Sequence, residues 1–144
     1  MKIIMRLFPI IILCVISTIS FAQSSLDTRI IVTVSDSLNL YEKVRLAFVN
    51  EDFIVKDDRK LDSLTTYPMN ISSTTFIRAY AAISSRQVIF WGYLGDSEVN
   101  FLGYTVNPSK EDYKKIFYYK SDKYWKKLRA IASRIEGTIS YGKE

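Results

Sequence analysis

The pattern of apolar and polar positions predicts a short helix in the first half of the chain. Five apolar side chains recur at helical spacing and form one stripe: Leu40, Tyr41, Val44, Ala47 and Phe48. Asn39 is predicted to cap this helix, because its side-chain oxygen can accept a backbone N–H of the first turn. Glu42, three residues later, completes the spacing of a capping box. We expect the stripe to lie against a sheet that the neighbouring strands help to build.

Alternating positions bounded by turn residues predict six strands. They cover residues 29–34, 53–55, 64–67, 75–84, 87–94 and 99–106. Ser85 and Arg86 are predicted to join the fourth and fifth strands in a tight hairpin. Residues 57–60 are too polar to bury and suit a turn, residues 23–27 suit a flexible polar leader, and residues 138–141 suit an additional edge strand.

A second helix is predicted over residues 122–136. Ser121 is expected to cap it and Gly137 to end it. Six residues form its apolar face: Tyr124, Trp125, Leu128, Ile131, Ala132 and Ile135. The segment before it has two interpretations, a strand at 116–119 or one helical turn that follows Ser109. The predicted order is strand, helix, five strands and helix, which gives an α+β fold with an antiparallel sheet of about five to six strands in a two-layer sandwich, most simply with both helices on one face.

The first 22 residues have the pattern of a signal peptide. Lys2 and Arg6 form a positive n-region, residues 7–19 are mostly apolar, and Ser20-Phe21-Ala22 is a small-x-small cleavage site. Cleavage after this site leaves residues 23–144 as a single domain, long enough for one core but not for two. The apolar run is shorter than the about 20 residues of a membrane span, so we expect no transmembrane segment after cleavage. A retained signal anchor is the competing interpretation.

The chain has no histidine and a single cysteine, Cys14. Leu13 stands where a lipobox needs a small residue, so the chain is not predicted to be a lipoprotein. Because Cys14 lies in the signal peptide, the mature domain would fold without disulfides. Small secreted eukaryotic domains usually need such links, and we therefore expect export in a bacterium, to the periplasm or the exterior.

The first strand, helix and strand pair resemble the repeated module of BamC, a lipoprotein accessory of the outer-membrane β-barrel assembly machine. The resemblance is carried by residues 29–32, 40–44, 53–55 and 65–66. Residues 28–136 are also similar to TATA-binding-protein-like (TBP-like) domains exported by Bacteroidetes, which carry a late Trp-x-x-Leu helix, here Trp125 to Leu128. These likenesses imply a BamC-like or TBP-like fold without a catalytic signature. The chain departs from them by lacking a lipobox and the glycine that usually precedes the aromatic residue after the helix, here Phe53.

The chain lacks the residues that most catalytic mechanisms require. Without His, and with Cys only in the signal peptide, the mature chain can form no Ser-His-Asp triad, thiolate nucleophile or Cys/His zinc site. Asp57, Asp58 and Asp62 lack the alternating spacing of a calcium loop, so we interpret them as a solvated turn. Residues 140–143 match S-x-x-K, but at the end of the chain rather than at the start of a buried helix. The sequence therefore predicts no enzyme, no metal and no cofactor.

Positive charge is concentrated towards the C-terminal end. Residues 23–107 carry eight Lys and Arg against ten Asp and Glu, whereas residues 108–136 carry nine against four. Six of the basic residues are candidates for contact with an anionic lipid headgroup or polysaccharide: Lys115, Lys120, Lys123, Lys126, Lys127 and Arg134. A solvated helix face explains the same charges. Nucleic acid is not expected as a partner of an exported protein.

Five aromatic residues of the predicted strands share one sheet face by alternation: Phe76, Tyr80, Trp91, Tyr93 and Tyr104. If both helices cover the opposite face, this row is exposed and marks a partner or ligand site. If the helices cover this face, the row is core. The sequence thus predicts a non-enzymatic exported domain that binds another envelope protein through an open sheet face or an edge strand. The alternative is a binder of a small ligand or polyanion, through the aromatic row or the basic segment.

Overall fold

The computed structural model describes residues 24, 26–56, 60–96, 99–101, 104–106, 113–119 and 122–143. The predicted signal peptide, most of the predicted turn at 57–60, and Ser109, Lys120 and Ser121 lie outside the described residues. In chain order the elements are β1 (Arg29–Thr33), α1 (Leu40–Val49), β2 (Ser63–Thr65), β3 (Met69–Asn70), β4 (Thr75–Ile83), β5 (Gln87–Asp96), β6 (Val99–Phe101), β7 (Tyr104–Val106), β8 (Lys114–Lys115), α2 (Lys123–Ser133) and β9 (Thr138–Gly142). No helix in these ranges is long and apolar enough to cross a membrane.

Seven of the described strands form one antiparallel sheet around β5. Its order is β2-β4-β5-β1-β9, with β3 also paired to β4 and β8 to β5. The longest ladder joins β4 to β5, from Thr75 opposite Asp96 to Ile83 opposite Val88. The turn at Ser85-Arg86 closes this hairpin as predicted, and the backbone N–H of Ser84 donates to the carbonyl of Gln87 over 2.8 Å.

Both helices pack on the same face of the sheet, as predicted. The buried residues of α1 are Leu40, Val44, Ala47 and Phe48, and those of α2 are Trp125, Leu128, Ile131 and Ala132. The Phe48 ring lies 5.8 Å from the ring of Phe90 on β5, between centroids. Leu128 packs against Gly92, two residues further along the same side of β5. Each such fully buried side chain stabilises the fold by roughly 1.5–3 kcal/mol, so this layer contact forms the core of an α+β sandwich.

The start of α1 differs from the prediction. Asn39 has φ 54° and ψ 30°, a left-handed conformation that Asn tolerates better than most residues. Its side chain makes no capping hydrogen bond, because a capping side chain reaches back only from an extended backbone. Glu42 pairs with Arg45 instead, with 2.8 Å between Oε2 and Nε. The predicted capping box is therefore wrong.

The ends of α2 also differ from the prediction. Its N-cap is Asp122 rather than Ser121, and the carboxylate of Asp122 accepts the N–H groups of Tyr124 and Trp125 over 3.0 and 3.3 Å. The helix ends at Ser133 rather than at residue 136. Gly137 lies beyond the helix end and against β1, where a Cβ would lie 2.5 Å from the carbonyl oxygen of Thr33. Close approach of two backbones, and not a helix cap, requires this glycine.

The prediction of one long strand of the main sheet over residues 99–106 is wrong. The described residues of this segment form β6 and β7, which pair with each other in a two-stranded sheet separate from the main one. Phe101 lies opposite Tyr104 in this antiparallel pair.

Three further segments differ in extent from the prediction. Residues 53–55 contribute a single bridge, from Val55 to Thr66, rather than a strand. Residues 116–119 are neither strand nor helical turn, and the strand of this region is β8. Asp27 is buried, and its backbone carbonyl accepts the N–H of Tyr118 over 2.8 Å, so it does not belong to a flexible leader. The predicted edge strand at 138–141 is confirmed as β9.

The contact between Gly137 and β1 generates a stability prediction. Gly137→Ala should lower the free energy of unfolding by about 1–3 kcal/mol, because the added Cβ forces two backbones apart. Gly142→Ala is the matched control in β9, since its Cβ would meet only the Cδ1 atom of Ile31 at 3.4 Å. Urea denaturation measures both variants, and equal losses would contradict this reason for Gly137.

Candidate functional site

The sheet face opposite the helices carries the predicted aromatic residues, and we call it the open face. Directly opposed residues of an antiparallel pair point to the same side. Tyr80 lies opposite Trp91, Arg78 lies opposite Tyr93, and Tyr93 lies opposite Lys115 of β8. These five side chains are therefore neighbours on the face that points away from Phe90 and the helices.

Three aromatic rings form the centre of the open face. Tyr80 and Trp91 are stacked, with ring centroids 5.6 Å apart and an angle of 9° between the planes. Tyr93 meets Tyr80 edge-on, at 5.6 Å and 90°. All three are half-buried, so each ring is held by its neighbours and still offers surface to a partner. We call these residues the aromatic centre. The interpretation of this row as core beneath the helices is wrong.

Phe76 shares this side of β4 but is buried, at 7% exposure. Its ring lies over Gly95, its cross-strand neighbour, where an added Cβ would overlap the ring. Tyr113 contacts it edge-on, with centroids 5.4 Å apart. Phe76 is thus buried under Tyr113, and the half-buried Tyr113 ring forms the surface at this point.

Tyr104 was predicted to share the same sheet face, and this prediction is wrong. It lies in β7, which belongs to the separate two-stranded sheet. The error follows from treating residues 99–106 as one strand of the main sheet.

Three residues that the sequence analysis missed extend the open face at the β2 edge. Thr66 is fully buried, and its N–H donates to the carbonyl of Ala79, a core position. Its neighbour Tyr67 therefore points to the open side, and Ile54, whose carbonyl accepts the Tyr67 N–H over 2.8 Å, lies beside it. Ile54 is 69% and Tyr67 51% exposed, and the Nζ of Lys56 lies 5.0 Å from the centroid of the Tyr67 ring. Strict alternation from the buried residues at 53 and 66 predicts these orientations.

Arg78 is the most unusual polar residue of the open face. Its guanidinium carbon lies 5.6 Å from the centroid of the Tyr113 ring. Its Nε is buried and has no hydrogen-bond acceptor among the described residues. A buried donor without an acceptor costs roughly 1–3 kcal/mol, so such groups are rare unless a ligand or water satisfies them. A planar guanidinium pairs best with a carboxylate or phosphate.

The charges on the described part of the open face have one sign. Among the described strand and bridge positions that point to this side, the charged side chains are all basic: Arg29, Lys56, Arg78 and Lys115. Lys115 lies over the Tyr93 ring, with its Nζ 5.9 Å from the ring centroid. The open face, as far as its residues are described, is thus a surface of aromatic rings and cations.

The six predicted anion-contacting residues do not form one surface. Lys115 lies on the open face, whereas Lys123, Lys126 and Lys127 lie on α2, on the opposite side of the sheet. The Lys127 Nζ lies 3.2 Å from Oε2 of Glu51, and the Arg134 Nη2 lies 2.7 Å from Oε1 of the same carboxylate. Lys127 and Arg134 therefore connect α2 to the end of α1. Lys120 lies outside the described residues.

Glu51 is the acidic partner in this contact, and its side chain is only 13% exposed. Burial on its own would raise the pKa of Glu51. The hydrogen bonds from Arg134 and Lys127, together with their positive charges, outweigh burial and hold its pKa below the ordinary value of 4.5. The Glu51 carboxylate is therefore a structural ion-pair partner and not a proton donor for catalysis.

Neither a metal site nor a catalytic S-x-x-K helix is assembled in the described part of the chain. No three His, Cys, Asp or Glu side chains there come close enough to hold a metal ion. Asp62 is exposed, and Asp57 and Asp58 lie outside the described residues. Residues 140–142 belong to the edge strand β9, with Lys143 after its end, so the S-x-x-K spacing lies on an extended strand and not on a helix.

In comparisons with known proteins, no protein-family model matches the sequence, and neither a curated protein nor a solved structure matches it. The resemblance to BamC and to TBP-like domains stays a prediction.

The Glu51 contact generates a pH prediction. Because its pKa is lowered in the folded state, the contact stabilises the fold above the ordinary glutamate pKa, and this contribution is lost as the pH falls below 4.5. Glu51→Gln should lower the free energy of unfolding by about 1–3 kcal/mol at neutral pH and by much less at pH 3.

Thermal and urea unfolding at several pH values test this expectation. Glu42→Gln is the matched control, because it removes an exposed pair with Arg45 on the surface of α1. Such exposed pairs contribute little, so the control should stay within about 0.5 kcal/mol of the parent chain. A Glu51→Gln loss that does not change with pH would contradict an electrostatic origin.

Proposed function

We propose that this protein is a non-enzymatic exported accessory module that docks an acidic segment of another envelope protein on its open face. The observation that carries the proposal is the aromatic centre, in which Tyr80, Trp91 and Tyr93 are packed together and half-buried on the sheet face opposite both helices. The signal-peptide pattern supports export. The resemblance to BamC supports an accessory role in the envelope.

The aromatic centre has the properties of an interface anchor. Binding energy at protein interfaces is concentrated in a few residues, most often Trp, Tyr and Arg, near the middle of the contact. Stacked rings on a sheet lose little side-chain entropy when a partner arrives, because their neighbours already hold them. Ile54 and Tyr67 add exposed apolar surface at the β2 edge.

The charges of the open face favour an acidic partner. Lys56 and Arg78 flank the aromatic centre on the β2 side, and Lys115 flanks it on the β8 side. A carboxylate of the partner would pair with the positive charge of the Arg78 guanidinium, which lies against the Tyr113 ring. A neutral partner would bring no such charge, so the cations make the open face selective for acidic segments.

A polyanion such as a polysaccharide or lipid surface is the weaker candidate. Binding of that kind depends on many cations along one surface. The structure separates Lys115 from the lysines of α2, and it pairs Lys127 and Arg134 with Glu51. The open face has fewer cations and a compact aromatic centre, which suits a folded or extended protein segment better.

Crosslinking in intact cells at native expression, followed by affinity purification and mass spectrometry, tests the proposal. The parent chain should capture one envelope protein in stoichiometric amount. Trp91→Ala should reduce the captured amount about tenfold or more, because it removes a central anchor. Leu46→Ala is the matched control, since Leu46 is 49% exposed and lies on α1, on the other side of the sheet. Recovery of the chain alone, or equal capture by Trp91→Ala, would overturn the proposal.

The acidic character of the partner has a separate test with the purified pair. Arg78→Gln should weaken binding about tenfold or more, and Arg78→Lys should recover only part of the loss, because a lysine cannot pair bidentately. Increasing salt should lower the affinity of the parent complex moderately, because only a few charge pairs are screened. A steep salt dependence that persists in Trp91→Ala would indicate polyanion binding instead.

A further inference from the structure

The strand β9 forms one edge of the sheet. It pairs with β1 in an unbroken antiparallel register, from Arg29 opposite Gly142 to Thr33 opposite Thr138. No described strand pairs with its other side. An edge strand of this kind presents a row of backbone N–H and C=O groups that can pair with another strand.

The opposite edge of the sheet, unlike β9, is protected against pairing with another strand. There β2 has three residues and β3 has two, and Pro68, which cannot donate a ladder hydrogen bond, stands between them. Residues 54–56 cover the end of this edge, since the Lys56 N–H donates to Thr65 and the Ile54 carbonyl accepts from Tyr67. Short strands, proline and covering segments are the usual means of preventing edge pairing. Within its five residues β9 has no proline, no charged side chain and no bulge.

We propose that β9 pairs antiparallel with β9 of a second copy of this chain, in a two-fold register centred on Ser140. In this register Ile139 lies opposite Tyr141 of the second copy, and Thr138 lies opposite Gly142. Pairs of a β-branched with an aromatic residue are among the favourable cross-strand combinations. No like charges are opposed along the strand, so none of its five residues meets an unfavourable partner in this register.

The side-chain directions support this register. Ile139 lies opposite Val32 and Tyr141 opposite Ile30, two fully buried positions, so both point to the helix side. Both are partly buried against the core, and the Tyr141 ring centroid lies 6.1 Å from that of Trp125. Pairing would place Ile139 against Tyr141 of the other copy and cover apolar surface that the monomer leaves half-exposed.

A second copy fits this edge better than an unrelated peptide for two reasons. The strand is complementary to itself, as an isologous interface must be. The contact also closes, because each copy uses its open edge and keeps the protected one outward, so assembly stops at two. Opposed residues point to the same side, and the dimer therefore places both open faces on one side of a continuous sheet.

The test begins with the oligomeric state of the mature chain, residues 23–144, measured by light scattering and analytical ultracentrifugation over a series of concentrations. We expect twice the monomer mass, with dissociation on dilution. Ser140→Lys should weaken the dimer roughly fivefold or more, because it brings two like charges together at the two-fold axis. Its circular dichroism should match the parent, since the Ser140 side chain lies on the partly exposed open side. A monomer at every concentration would overturn the proposal.

A cysteine scan identifies the register. The predicted mature chain has no cysteine, so Ser140→Cys introduces a single thiol, which should form a disulfide with its own symmetry mate on mild oxidation. Ser63→Cys, at the protected edge, is the matched control and should stay uncrosslinked. A dimer that forms without the Ser140→Cys disulfide and resists Ser140→Lys would contradict the β9 contact. Trp91→Ala should leave the dimer intact, so failure of this inference is distinguishable from failure of partner docking.

Discussion

The ladder between β4 and β5 determines which side chains each layer receives. Its register places Phe90 and Gly92 beneath the helices and, on the alternate positions, Trp91 and Tyr93 on the open face. A slip of one residue would move the aromatic rings into the helix layer and the small core residues Ala79 and Ala81 outward. The packing of Phe48 and Leu128 on the inner side therefore also holds the aromatic centre in place. Core stability and the shape of the candidate site depend on the same register.

Features that follow from local alternation were predictable from the sequence. The stripe of α1, the hairpin at Ser85-Arg86 and the common face of Tyr80, Trp91 and Tyr93 all rest on periods of 3.6 or 2 residues, which the burial of each side chain enforces. The side that the helices cover was not predictable, because it depends on how the layers pack and not on the pattern within one strand. Once the helices are placed, the same alternation explains the exposure of Tyr67.

The errors share a physical cause, which is that local patterns do not report non-local partners. Asn39 fits an N-cap by residue type, but the chain enters α1 with a left-handed turn there. Gly137 fits a helix end, but the close backbone of β1 is what requires it. Residues 99–106 alternate like a strand of the main sheet, yet they pair with each other. The contact of Glu51 with Arg134, which are 83 residues apart, likewise has no local sequence pattern.

The distribution of the two tryptophans gives each layer of the sandwich its own optical probe. Trp125 is 2% exposed beneath the helix layer and packs against Tyr118 and Tyr141. Trp91 lies in the other layer, stacked on Tyr80 at the surface. Emission from an indole responds to the polarity around it, so changes at the buried ring follow unfolding, while changes at the surface ring follow contact with another molecule. One unlabelled chain can therefore report loss of its core and occupancy of its surface as two separate fluorescence signals.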